Sequence, residues 1–199
     1  MSDRWLESAA ALVAALLFFQ PGLVLGADLQ AIRPKVQACF ACHGDEGNSR
    51  NPAVPSIAGQ PGQFIATALF FYRQGDRKDP QMSPMVAGLS NEDMNDLAAY
   101  FSAQKVAPPQ HKTGAEGTKA GPELSKKFNC TQCHGPRLMG LQHIPRLAGQ
   151  QYEYLRAQLR LFKAGKRADS DGNMSAAAQA LAEKDIEVLV DYMAGMGAQ

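Results

Sequence analysis

The sequence predicts an all-α protein made of two tandem copies of one small domain, and three observations carry that prediction. The second half repeats the first at a spacing of 90–92 residues: Ala58-Gly59-Gln60 recurs as Ala148-Gly149-Gln150, Leu69 and Gly75 as Leu159 and Gly165, Arg77 as Arg167, Met82 as Met174, Leu89 as Leu181, Asp93 as Asp185 and Tyr100 as Tyr192. So many matches in one order, with slips of one or two positions, mark an internal duplication. Apolar residues recur at helical spacing in both halves, and no run alternates as a strand would. The four cysteines fall into two copies of one short motif, Cys39-Phe40-Ala41-Cys42-His43 and Cys130-Thr131-Gln132-Cys133-His134.

The helices can be placed in order. Pro34 to Ala41 can form one that carries the first motif. Pro61 to Arg73 sets Phe64, Ile65, Ala68, Leu69 and Tyr72 on one face, and Gly75 stops it. Ser90 with Asp93 is a capping box that opens a helix burying Met94, Leu97, Ala98 and Phe101. In the second half Tyr154, Leu155, Gln158, Leu159 and Phe162 form the middle helix, ended by Gly165. Ile186, Leu189, Val190 and Met193 form the last, with Ala182 standing where Ser90 stood. Residues 28–104 form the first domain, 122–199 the second, and 105–121, rich in Pro, Gly and Lys, the linker.

Residues 1–27 read as a secretory signal peptide or, alternatively, a retained N-terminal anchor. An 11-residue apolar run from Ala9 to Phe19 is followed by Gln20-Pro21-Gly22 and then by small residues ending at Ala27. The run is short for a bilayer span. Either reading exports the folded part, giving an expected periplasmic location, with membrane association if the segment is retained. The formal net charge of +1 offers no basic excess for nucleic acid.

C-x-x-C-H is the attachment signature of a c-type haem. Two thiols one helical turn apart can each add to a vinyl group of one porphyrin, and the next histidine falls under the iron. The expectation is two covalently bound haem c groups, held by Cys39 and Cys42 and by Cys130 and Cys133, with His43 and His134 as axial ligands. A Cys₄ zinc site wants its two pairs about 15–20 residues apart, whereas Cys42 and Cys130 are 88 positions apart. A thioredoxin-like site wants a preceding strand.

The sixth iron position decides what a haem does. Met82 and Met174 lie 39 and 40 residues after the two histidines, each seven before a leucine, in polar loops leading into a helix. Met85 competes with Met82, but only Met82 keeps the seven-residue spacing. Sulfur opposite nitrogen raises the reduction potential, and a closed coordination sphere suits single-electron transfer.

The duplicated C-x-x-C-H, the Ala-Gly-Gln motif and the Met-x₆-Leu segment running into an acidic helix resemble dihaem cytochromes c of the cytochrome c4 type, over nearly everything from about residue 28 onward. The resemblance implies two class I cytochrome c domains facing one another and a periplasmic electron-transfer role without substrate chemistry. It also implies that the carbonyls of Pro55 and Pro145 accept the Nδ1–H of the two histidines. The expected partners are redox proteins: a quinol-oxidising complex or dehydrogenase as donor, a terminal oxidase or reductase as acceptor. One alternative is a dedicated cytochrome subunit of a periplasmic dehydrogenase, and another is a dihaem peroxidase. His111 and His143 read as exposed loop residues. Arg77 and Arg167 read either as propionate partners or as solvated. Arg156, Arg160, Lys163 and Arg167 share a helix face that is either solvated, a dock for an acidic partner, or turned to propionates.

Overall fold

A computed structural model describes residues 29–198; the proposed signal segment, 1–27, lies outside them. The elements are α1 (Leu29–His43), a 3₁₀ turn (Asp45–Gly47), α2 (Gly62–Gln74), α3 (Met82–Val86), α4 (Asn91–Ser102), α5 (Ala115–Lys127), α6 (Cys130–His134), α7 (Tyr152–Lys163), α8 (Asn173–Gln179) and α9 (Glu183–Gly195). Among the described residues the sole β feature is a bridge between Leu141 and Ile144.

Two separate cores form. Ile32, Val36, Ile65, Leu97, Ala98 and Phe101 make the first, where α1 and α2 pack on α4. The second gathers Leu155, Leu181, Ile186, Leu189, Val190 and Met193, where α5 and α7 pack on α9. All four apolar residues expected on α4 are buried, as are all four expected on α9. Phe40, Tyr100 and Phe101 meet edge-on or tilted, with ring centroids 5.1–6.3 Å apart, an arrangement favoured by the ring quadrupoles.

Helix α1 already includes Leu29–Arg33, ahead of the expected start at Pro34, and carries Pro34 in its interior. Pro34 costs a backbone hydrogen bond, but Ile32 and Val36 flank it at i, i+4 spacing and are both buried, which holds the extra turn.

The stretch 105–121 is helical from Ala115 on, so the linker expected there ends sooner. Its glycines serve helix packing. Gly117, Gly121 and Ser125 are buried on one face of α5. A Cβ on Gly121 would sit 2.3 Å from the Tyr192 Cβ, and one on Gly117 2.0 Å from an Asp191 carboxylate oxygen. Composition alone cannot separate glycines that loosen a chain from glycines that let two helices touch.

The two halves meet through a pseudo-twofold exchange. Helices α2 and α7 have no side-chain N-cap. Instead the Phe64 N–H, at the third position of α2, donates to the Gln142 carbonyl at 3.0 Å, and the equivalent Tyr154 N–H of α7 donates to the Pro52 carbonyl at 3.0 Å. Each middle helix is thus capped by a loop of the other repeat, which satisfies an otherwise orphaned donor.

Candidate haem sites

Each C-x-x-C-H lies on helical backbone, at the end of α1 and on α6. The pairs are therefore i, i+3 neighbours on one face. None of the four cysteines is in a disulfide: Cys42 and Cys133 are exposed, Cys39 and Cys130 half-buried. Burial pushes the Cys39 thiol up to about 11, and burial raises Cys130 too. The repeats differ in one respect. α1 runs unbroken through its motif, whereas Asn129 adopts a left-handed φ of 58° and separates α5 from α6. Asparagine tolerates that conformation better than most side chains.

His43 and His134 are both buried. The His43 Nδ1 lies 2.8 Å from the Pro55 carbonyl oxygen, and the His134 Nδ1 lies 2.7 Å from that of Pro145. A carbonyl can only accept, so each ring carries its proton on Nδ1 and leaves Nε2 as a bare lone pair. Burial lowers both imidazole pKa values, partly offset by the proline carbonyls. The neutral, ligating form is favoured. Nε2 of His134 is buried with no hydrogen-bond partner. An orphaned ring nitrogen beside two thiols on one helix face fits an iron porphyrin. It does not fit zinc: among the described residues no group of three or more His, Cys, Asp or Glu is placed to hold a metal ion.

The methionine loops follow a shared plan that sequence reading missed. Met82 opens α3, with its N–H on an Asp79 carboxylate oxygen at 2.9 Å; that oxygen also accepts from the Gln81 N–H. Met174, on α8, donates its N–H to Asp169 at 2.8 Å, and Ser175 adds its N–H and hydroxyl to the same carboxylate. Asp79 and Asp169 are 90 positions apart, each two residues after a matched arginine, and that was the available signal. Met82 is half-buried, while Met85 is 53% exposed.

The Ala-Gly-Gln repeats hold the halves together. Gly59 and Gly149 adopt φ of +61° and +65°, and their N–H groups donate to the carbonyls of Phe101 and Met193. Gln60 then reaches across: its Oε1 accepts from the Arg146 N–H at 2.9 Å and its Nε2 donates to the Arg146 carbonyl at 3.0 Å. Gln150 returns the pattern on Ser56, both bonds at 2.8 Å. The Arg146 side chain is fully buried, donating to the carbonyls of Ala58 and Ala148, and burial lowers its pKa to about 10.

Other expectations resolve differently. His111 is not an exposed loop residue: it lies 2.6 Å from an Asp191 carboxylate oxygen and stacks on Tyr152. His143 is exposed. On the basic face of α7, Arg156 pairs with Glu153, Arg160 pairs with Glu183 and Glu187, and Lys163 donates to the Leu181 carbonyl. Most of that face is spent inside its own domain, which weakens its case as a dock.

A family model described as Cytochrome c matches residues 35–105 and again 118–197, one segment over each motif. The chain belongs to the cytochrome c family. It is 36% identical over 188 residues to a cytochrome c4 of Stutzerimonas stutzeri, covering 85% of this chain and 89% of that one. It is 32% identical to a thiosulfate dehydrogenase electron acceptor of Thiomonas intermedia, covering 94% and 88%. Its fold is similar to the crystal structure of reduced recombinant cytochrome c4 from Pseudomonas stutzeri, with a TM-score of 0.78, 35% identity and coverage of 85% and 99%. This cytochrome c is accordingly a two-domain electron-transfer protein with two covalently bound haem c groups, one per repeat.

Proposed function

We propose that this cytochrome c acts in the periplasm as a carrier with no substrate chemistry of its own, taking single electrons from a quinol-oxidising complex or a dehydrogenase and passing them to a terminal oxidase or reductase. In this reading Cys39 and Cys42, and Cys130 and Cys133, form the thioether bonds. His43 and Met82 hold the first iron, His134 and Met174 the second. Each haem supplies a one-electron ferric–ferrous couple when bound. The protein's part is to keep each imidazole neutral and aimed, through Pro55 or Pro145, and to hold each methionine loop in place through Asp79 or Asp169. The observation that carries the reading is the pair of buried histidines whose Nδ1 is committed to a proline carbonyl, each beside two cysteines of its motif.

Among the described residues no helix is long and apolar enough to cross a membrane. The similarity to a thiosulfate dehydrogenase electron acceptor favours a dehydrogenase as donor. Reduction of the purified cytochrome by such an enzyme with its substrate separates that donor from a quinol-oxidising complex.

The ligand set is tested by substitution. Met174→Ala is expected to render the second haem partly high-spin and able to bind carbon monoxide, and Met82→Ala the first. Unchanged spectra in both variants, or opening of the first haem by Met85→Ala instead, would refute the corresponding assignment. Peroxide turnover by the reduced wild-type protein would show that a sixth position is already open.

A further inference from the structure

A peptide group has two ends, and in this molecule two particular peptide groups have both ends engaged by different repeats. The unit joining Pro55 to Ser56 accepts at its carbonyl oxygen from His43 Nδ1 at 2.8 Å, and donates its N–H to Gln150 Oε1 at 2.8 Å. The unit joining Pro145 to Arg146 accepts from His134 Nδ1 at 2.7 Å, and donates to Gln60 Oε1 at 2.9 Å. His43 and Gln150 belong to opposite halves, as do His134 and Gln60. Both glutamines are buried, at 2% and 4% exposure. Each also returns its Nε2–H to the carbonyl of the residue whose N–H it accepts, and this two-point grip fixes which end of the amide faces the N–H.

The peptide bond is conjugated. An acceptor drawing on its N–H raises electron density at its oxygen, and that oxygen then accepts more strongly from the imidazole. Hydrogen bonds in such a chain strengthen one another. A stronger bond at Nδ1–H makes the ring a better donor at Nε2, and a better nitrogen donor favours ferric iron.

We propose that Gln60 and Gln150 are positioning residues acting crosswise: Gln150 tunes the haem of the first repeat through Pro55 and His43, and Gln60 tunes the haem of the second through Pro145 and His134. Docking of the two halves then sets the potentials of both haems, and each is lower than its domain alone would give. This rests on His43 and His134 being the axial ligands.

The test uses the full-length, haem-loaded protein with Gln60→Met and Gln150→Met, which keep side-chain length and remove the amide. Two quantities are read: the midpoint potential of each haem, and the proton resonance of each axial Nδ1–H in the reduced, diamagnetic state. Gln60→Met is expected to move the His134 resonance upfield and raise the second haem's potential, leaving the His43 resonance in place. A threefold change in that haem's reduction equilibrium corresponds to ~28 mV, at 59 mV per tenfold. Gln150→Met should do the mirror image. Movement of the same-repeat histidine, equal movement of both, or movement of neither would overturn the proposal.

Should the methionine variants fail to fold, Gln60→Glu replaces them. Its protonated carboxyl reproduces both bonds and its ionised form accepts more strongly, so raising pH through its titration should shift His134 alone downfield. A shift shared with His43, or none, would overturn the proposal equally. The wild type separates this failure from failure of the ligand reading. Absence of haem ring-current shifts on the two Nδ1–H resonances would remove the ligands themselves, whereas their presence without crosswise sensitivity would remove only the coupling.

Discussion

At the scale of single residues, the axial positions depend on side chains that never touch iron in this reading. A methionine in a short helix holds its place only if the backbone before it is fixed, and an ionised carboxylate taking backbone N–H groups does that well. Such charge-assisted bonds contribute about 1.5–3 kcal/mol each. Asp79→Ala releases the N–H groups of Gln81 and Met82, and should lower the stability of the first domain by about 2 kcal/mol. It should also raise the fraction of the first haem that binds carbon monoxide, with the second unchanged; Asp169→Ala should do the reverse. Urea titration followed at each haem and carbon monoxide difference spectra check both parts. The candidate ligands could be proposed from sequence because C-x-x-C-H and the spaced methionines are type-specific patterns. Asp79 and Asp169 were not, since an aspartate in a polar loop is unremarkable until its N–H partners are seen. Gln60 and Gln150 were visible as a repeat, but their job is a contact between halves, which no local spacing encodes.

At the scale of elements, the capping box on α4 is the most legible feature. Ser90 Oγ accepts from the Asp93 N–H at 3.0 Å, and Asp93 accepts from the Ser90 N–H at 2.9 Å. Lys35, reaching from α1, pairs with the same carboxylate. Lys35 and then the Ser90 N–H hold the Asp93 pKa below its ordinary 3.8. A carboxylate with a depressed folded value stabilises fully above its unfolded value and loses that contribution as pH falls through the folded one. The stability gap between wild type and Asp93→Asn should therefore be open at neutral pH, narrow below about pH 3.8, and close in stronger acid. Urea midpoints across that range measure it, and a gap constant with pH would contradict the ion pair. The matching helix α9 keeps half the device, Asp185 accepting from the Ala182 N–H at 3.1 Å without a hydroxyl in return. Helices α2 and α7 show where element-level reading stops. Their starts lack side-chain caps, and the carbonyls that cap them, Gln142 and Pro52, lie 78 and 102 residues away in sequence from Phe64 and Tyr154.

At the scale of the whole molecule, the pseudo-twofold joins two neutral exchanges to one charged problem. The Arg77 guanidinium lies 4.4 Å from the Tyr72 ring centroid, and Arg167 lies 4.4 Å from that of Phe162, the equivalent residue. Both arginines converge on Gln158 Oε1, and Arg77 also donates to the Tyr154 hydroxyl at 3.0 Å. Arg167 Nε is buried without a partner. Among the described residues neither guanidinium has a carboxylate within ion-pair distance. Two like charges sharing one acceptor repel, so an anion would be their natural complement, and we propose that haem propionates would supply it. A cation held at a propionate favours the more electron-rich ferrous state. Arg77→Gln and Arg167→Gln should therefore each lower a haem potential, on the order of 59 mV if the ferrous state loses tenfold in its equilibrium. Because the site is shielded, the drop should largely survive an increase in ionic strength from about 0.1 M to about 1 M, which shortens the screening length from ~10 to ~3 Å. Redox titration at both salt concentrations decides it. Unchanged or raised potentials would mean that the two arginines serve only the interface, and that the propionates lie elsewhere.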